Sequence, residues 1–153
     1  MPHTSIGLGD LPLKARCYCG ATEIVASTVP ASVSYCHCID CRRITGAPVA
    51  ALAAFASDRV AITGPEKSAK VQGTDFGRTF CADCGSPIAF RGDYAPGQVF
   101  LHISLFDDAV RLVPTLHSYE SRRLPWLHIA DATERHETSS RAALNSALEQ
   151  GRV

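Results

Sequence analysis

The chain has 153 residues, 46% of them hydrophobic and 20% charged, the balance of an ordinary globule that can bury one core. Lys+Arg 15 against Asp+Glu 15 gives a formal charge of zero, which lacks the basic surface of a nucleic-acid binder. No apolar run approaches the ~18 residues of a membrane span. The opening MPHTSIGLGDLPLKAR has neither the basic start nor the apolar stretch of a secretory signal, so a cytoplasmic, reducing setting is expected.

In chain order, residues 1–13 show little pattern and read as an N-terminal arm. From 14 to 131 short runs rich in Val, Ile, Thr and aromatics alternate with turn signals at TVPAS, TGAP, TGPEK, QGTDFG and DYAPGQ. They predict strands at 14–18, 22–27, 33–36, 49–55, 59–63, 68–72, 78–80, 87–91, 99–104 and 111–113. Many short strands at this spacing point to a mainly β, sandwich- or barrel-like domain. The segment YCHCIDCRRITG reads as a loop with one helical turn. Phe76, Phe80, Phe90, Phe100 and Phe106 read as core, and Trp126 as core or pocket wall. Residues 132–153 form a helical tail, with Ser139 or Ser140 as N-cap and Gly151 as stop. Ala143, Leu144, Ala147 and Leu148 give that helix a narrow apolar face, to pack on the domain or on a second copy in a homodimer.

Seven cysteines in 153 residues fall short of the ~8–10% of a disulfide scaffold, and an odd number cannot all pair. Under reducing conditions such clusters read as metal-binding or catalytic. They form three groups: Cys17 and Cys19 in CYCG, then Cys36, Cys38 and Cys41 in CHCIDC, then Cys81 and Cys84 in CADCG. Two thiolates this close along the chain can hold one ion only if the backbone turns tightly. Gly20 and Gly85 supply the positive φ such turns often need. Zinc takes about four ligands in a tetrahedron, with sulfur at ~2.3 Å. Cys17, Cys19, Cys81 and Cys84 therefore make one closed, structural zinc site. Cys36, Cys38 and Cys41 make a second, open zinc site with three protein ligands. Pairing Cys17/Cys19 with Cys36/Cys38 is the alternative split, but it breaks up the contiguous triplet.

The segments CYCGAT, YCHCIDCRRITGAP, TFCADCGSPIAF and PTLHSYESRRLPWLHIAD together resemble the glutathione-dependent formaldehyde-activating enzyme family, whose domain also occurs in centromere protein V. The likeness runs from about Lys14 to Asp131. It implies a β-tent fold around a structural zinc at Cys17, Cys19, Cys81 and Cys84, with a labile zinc at Cys36, Cys38 and Cys41. It implies the joining of formaldehyde to the glutathione thiol, giving S-hydroxymethylglutathione, a carbon–sulfur lyase reaction. It also implies that Tyr119 and Arg122 line a pocket.

Zinc on three thiolates carries about −1 net charge and is a poor Lewis acid, which disfavours hydrolysis. An incoming thiol suits it better, because a coordinated thiol is held as thiolate, the nucleophilic form. Arg42 and Arg43 follow the open cluster and are candidates to grip the carboxylates of glutathione. Asp40 either shuttles a proton or caps the turn. His37, between two ligands, is expected to point away from them. His117 and His128 are candidate fourth ligands or structural histidines. The expected function is thus a zinc enzyme or carrier acting on thiol adducts of a small electrophile. A non-catalytic zinc module and a zinc or redox sensor are the alternatives.

Overall fold

Alternation of buried and exposed side chains in the first strands sets the layering. In the computed structural model, which describes residues 11–70 and 72–150, β1 (Leu13–Arg16) and β2 (Glu23–Ala26) bury every second residue. Leu13, Ala15, Ile24 and Ala26 face inward. These strands pair antiparallel, and β2 pairs in turn with β5 (Val60–Thr63), making a three-stranded sheet.

The second sheet has eight strands. It is built from β3 (Ser32–Cys36), β4 (Ala50–Ala56), β6 (Glu66–Lys70), β7 (Gly77–Cys81), β8 (Pro87–Arg91), β9 (Gln98–His102), β10 (Leu116–Ser118) and β11 (Glu134–Arg135). Their order is β11-β10-β3-β4-β9-β8-β7-β6. Central β4 is buried on both faces, which its near-continuous apolar text AALAAFA allows. Ala53 and Phe55 point toward the small sheet and share its core with Ile88, Val99 and Leu101. Leu52 and Ala54 point the other way, into a second cluster with Phe90 and Phe100. That far face is covered by two helices, α1 (Ile39–Thr45) and α2 (Arg141–Glu149).

The mainly β reading holds, with local corrections. Residues 111–113 are not a strand. Ala109–Arg111 is a 3-10 turn, and Pro114, which has no N–H to donate, precedes the true strand at Leu116. The middle cysteine segment carries a full seven-residue helix rather than one turn. Trp126 is neither core nor pocket wall, being 66% exposed. Phe90, Phe100 and Phe106 are buried, while Phe76 and Phe80 are half-buried; Phe55 is wholly enclosed. Helix α2 lays Leu144 and Leu148 against the cluster of Phe90 and Phe100 in its own chain. Its N-terminal cap is shared: Ser140 is the boundary residue, but Ser139 Oγ accepts the Arg141 N–H at 3.1 Å. Residues 1–10 of the expected arm, position 71 of the expected strand 68–72, and Gly151 lie outside the described residues.

Candidate metal centre and adjoining cavity

Two loops of similar shape bring four cysteines together. Cys17 directly follows β1, and its carbonyl accepts the Gly20 N–H at 3.0 Å; Cys81 ends β7, and its carbonyl accepts the Gly85 N–H at 2.9 Å. Gly20 (φ 80°) and Gly85 (φ 75°) both take the left-handed conformation that the spacing requires. Tyr18 N–H donates to Ser86 Oγ at 3.0 Å and locks one loop on the other.

The sulfurs of Cys17, Cys19, Cys81 and Cys84 lie within 4.8 Å of one another. Cys17 Sγ is 3.4 Å from Cys19 Sγ, which is 3.9 Å from Cys81 Sγ. A disulfide needs ~2.05 Å. Four sulfurs at ~2.3 Å around one tetrahedral ion stand about 3.8 Å apart, so this spacing fits zinc. The donor groups fit too: Thr22 N–H points at Cys17 Sγ from 3.2 Å, and the Ser86 hydroxyl lowers the Cys84 thiol to about 5. Because Cys17 follows the small sheet and Cys81 closes a strand of the large one, an ion here would tie the two sheets together.

The second group is local. β3 ends at Cys36, and α1 begins after Cys38, whose Sγ accepts the Cys41 N–H at 3.2 Å as the helix cap. The cap is thus a sulfur and not Asp40. Cys36, Cys38 and Cys41 hold their sulfurs within 4.8 Å of one another, and this trio too can hold a metal ion. All seven cysteines are free of disulfides. Hydrogen bonds from Cys36 and then Cys41 pull Cys38 down to about 2, and the same bond with Cys38 pushes Cys36 far up.

A cavity of about 170 Å³ opens beside this trio. Its walls are largely aromatic: Phe76, Phe90, Phe100, Tyr94 and Tyr119. Phe90 and Phe100 stack in parallel with centroids 4.3 Å apart. Among the described residues Asp40 is its one carboxylate and Arg78 its one cation. Ser140, at the start of α2, also lines it and bonds Ser118 across the cavity wall. The C-terminal tail therefore belongs physically to the site.

Behind the trio is a buried polar network that sequence reasoning took only in pieces. His37, expected to turn away from the thiols, does so and is fully buried. Its Nε2 lies 2.9 Å from His117 Nδ1, and His117 Nε2 lies 3.0 Å from Asp131 Oδ2. The network assigns the tautomers: Asp131 accepts from His117, which accepts from His37. Glu120 Oε2 approaches His37 Nε2 at 3.5 Å and His117 Nδ1 at 3.7 Å. His37, His117 and Glu120 are close enough to hold an ion, but Glu120 is already shared by Arg123 (2.7 Å) and Arg135 (3.1 Å). Those two cations oppose a third one, so the group works as a hydrogen-bonded brace. His117 is thus structural rather than a ligand of the trio, and His128 is exposed.

One consequence is measurable. Burial works against the Asp131 carboxylate, yet hydrogen bonds from His117 and Thr133 hold it at about 2, below its ordinary 3.8. A depressed folded-state value means the stabilisation is present above pH 3.8 and is lost as pH falls through about 2. Allowing for partial solvent screening, we expect on the order of 1 kcal/mol. Urea midpoints at about pH 5 and pH 2.5 should therefore move further apart for the natural chain than for Asp131→Asn. Equal movement would remove Asp131 from the acid response.

The remaining expected site residues divide. Tyr119 lines the cavity, while Arg122 is exposed and does not. Arg42 is half-buried and Arg43 exposed on α1; neither lines the cavity. The guanidinium at the wall is that of Arg78, which the sequence reading passed over. Its signal was parity: in FGRTF, Phe76 and Arg78 alternate onto one side of the chain and line the same cavity.

A crystal structure of a Rhodobacter sphaeroides protein, a Northeast Structural Genomics target, is similar to this chain with a TM-score of 0.53 and 21% identity. The match covers 61% of this chain and 87% of that one, and it shows a shared fold. No curated protein sequence matches. Among the described residues no helix is long and apolar enough to cross a membrane. The sequence pattern that defines the family matches residues 12–122, a stretch holding all seven cysteines and most of the cavity wall; the chain belongs to the glutathione-dependent formaldehyde-activating enzyme family.

Proposed function

We propose that the protein joins, or carries, a small aldehyde such as formaldehyde on the thiol of glutathione or a related thiol. The observation that carries this reading is the convergence of three free thiols on an open, aromatic-walled cavity in a chain of this family. In this reading Cys17, Cys19, Cys81 and Cys84 hold a structural zinc, and Cys36, Cys38 and Cys41 hold a second, labile one. Zinc on the trio would supply the stabilisation that keeps an incoming thiol as thiolate.

The chain's own groups do the rest. The aromatic walls flank the reacting carbon. Asp40, the carboxylate of the cavity, takes the proton of the incoming thiol. The sulfur attacks the aldehyde carbon, a carbon–sulfur bond forms, and the carbonyl π pair moves to oxygen. The proton from Asp40 ends on that oxygen, so nothing is oxidised or reduced. Arg42 and Arg43, next along α1, offset the negative charge of the three thiolates.

The test is calorimetry of glutathione into the zinc-loaded full chain, with NMR exchange spectroscopy of formaldehyde and glutathione beside it. We expect measurable binding and faster exchange with the natural protein. Cys38→Ser should stay folded and lose tenfold or more in glutathione affinity. Absence of binding and of any rate change would leave a non-catalytic zinc module as the better description.

A further inference from the structure

Arg78 is a buried cation that, among the described residues, has no carboxylate partner. It is 8% exposed in β7, and its guanidinium lies over the Phe90 ring at 4.5 Å. Arg78 Nη1 is buried with no hydrogen-bond partner among the described residues. No sulfur of the trio accepts from Nη1, although the charge acts on the thiols of Cys38 and Cys41. Its field is felt on both sides. Burial and then Arg78 hold His102 down at about 4, and Arg78 favours the thiolate of Cys38.

A guanidinium is costly to desolvate, and a buried donor left unpaired adds to that cost. The fold nevertheless fixes this one by stacking it on Phe90, with Phe100 stacked beyond. Among the described residues it is the single cation on the wall of the cavity that also contains the cysteine trio. Planar guanidinium groups of this kind suit bidentate recognition of a carboxylate. The neighbouring rings suit the carbon skeleton between a carboxylate and a sulfur.

We infer that Arg78 is a specificity-determining residue, receiving a carboxylate of the thiol ligand while the ligand's sulfur faces Cys36, Cys38 and Cys41. The ligand class is a thiol acid, with apolar carbons between its two ends. This rests on the thiol reading of the site given above, and it adds which thiols are chosen.

The experiment uses zinc-loaded full-length protein and direct binding by calorimetry. The probes are 3-mercaptopropionate and glutathione, each compared with the form whose carboxylate is amidated (the glycine carboxylate in glutathione). A charge-assisted pair corresponds to about 10–100-fold. The natural protein should prefer at least one acid over its amide by tenfold or more. Arg78→Met, which keeps contact with Phe90 but has no charge, should bind acid and amide alike, near the affinity of the amide. Arg78→Lys should recover part of the preference. Equal binding of acid and amide by the natural protein would overturn the assignment while leaving the thiol reading in place, and this arm needs no variant to fold. Equal weakening of both forms by Arg78→Met would also overturn it, because Arg78 would then act only on the cysteine trio. No binding of any thiol would sink both readings together.

Discussion

Cys81→Ser is expected to lose its fold, whereas Cys38→Ser is expected to keep it. Cys81 is fully buried at the end of β7, in one core with Cys17, Ile24 and Ile88. Its sulfur shares a cluster with Cys17 and Cys19, which follow a strand of the other sheet. If the four cysteines hold a zinc ion as proposed, removing one of them would remove the cross-link between sheets. Structural zinc contributes roughly 10–16 kcal/mol in small metal-dependent domains. Net stability of a domain is about 5–15 kcal/mol. The loss is therefore comparable with everything the fold has in hand. Circular dichroism should show no cooperative thermal transition for Cys81→Ser, and a strong chelator should do the same to the natural chain. Zinc content should be near two ions per chain in the natural protein and near one in Cys38→Ser. A Cys81→Ser protein that melts cooperatively near the natural temperature would mean that packing alone joins the sheets.

His117→Ala should be the most damaging change away from the cysteines. The His117 ring accepts from His37, donates to Asp131, and packs on Tyr35 with centroids 4.9 Å apart. Alanine would leave a cavity and strip His37 of its partner, while His37 Nδ1 already has none. A buried unsatisfied group costs about 1–3 kcal/mol, and the void adds to it, so about 3 kcal/mol is expected in all. For a chain of this length that lowers the melting temperature by roughly 10 °C. A second effect follows from position. His37 stands between Cys36 and Cys38, and its N–H bonds the Ser118 carbonyl at 3.0 Å. Loosening its ring loosens the spacing of the two flanking thiols. The variant should therefore also release the metal of the trio more readily, seen as a lower chelator concentration at half loss. A melting point within about 2 °C of the natural chain would show that the brace is dispensable.

Much of the site is local in sequence and was legible there. Cys36, Cys38 and Cys41 fall within six positions, so a single helix start gathers them whatever the rest of the chain does. The glycines after CYC and CADC announced left-handed turns, and both occur. Arg42 and Arg43 drew attention by nearness along the chain; they sit on α1 and are not among the residues that line the cavity. Arg78 is some 40 positions from the trio and reaches it only because β7 and β8 pair and bring it over Phe90. Trp126 read as core by residue type, yet its segment runs along the surface.

By itself, the sequence determined the kind of chemistry: which thiols exist, how tightly they cluster, and that short strands must carry them. These depend on spacing and turn geometry over a few residues. Only the tertiary structure decided that the first and third cysteine groups meet, since the sheets must pack before Cys17 can approach Cys81. It alone joined His37 to His117 and Asp131 through the parallel pairing of β3 and β10. It also packed the C-terminal helix against the Phe90 and Phe100 cluster, brought Ser140 to the cavity and set the Arg78 guanidinium in its wall. Such contacts join residues tens of positions apart, and no local pattern encodes the packing that brings them within a few ångströms.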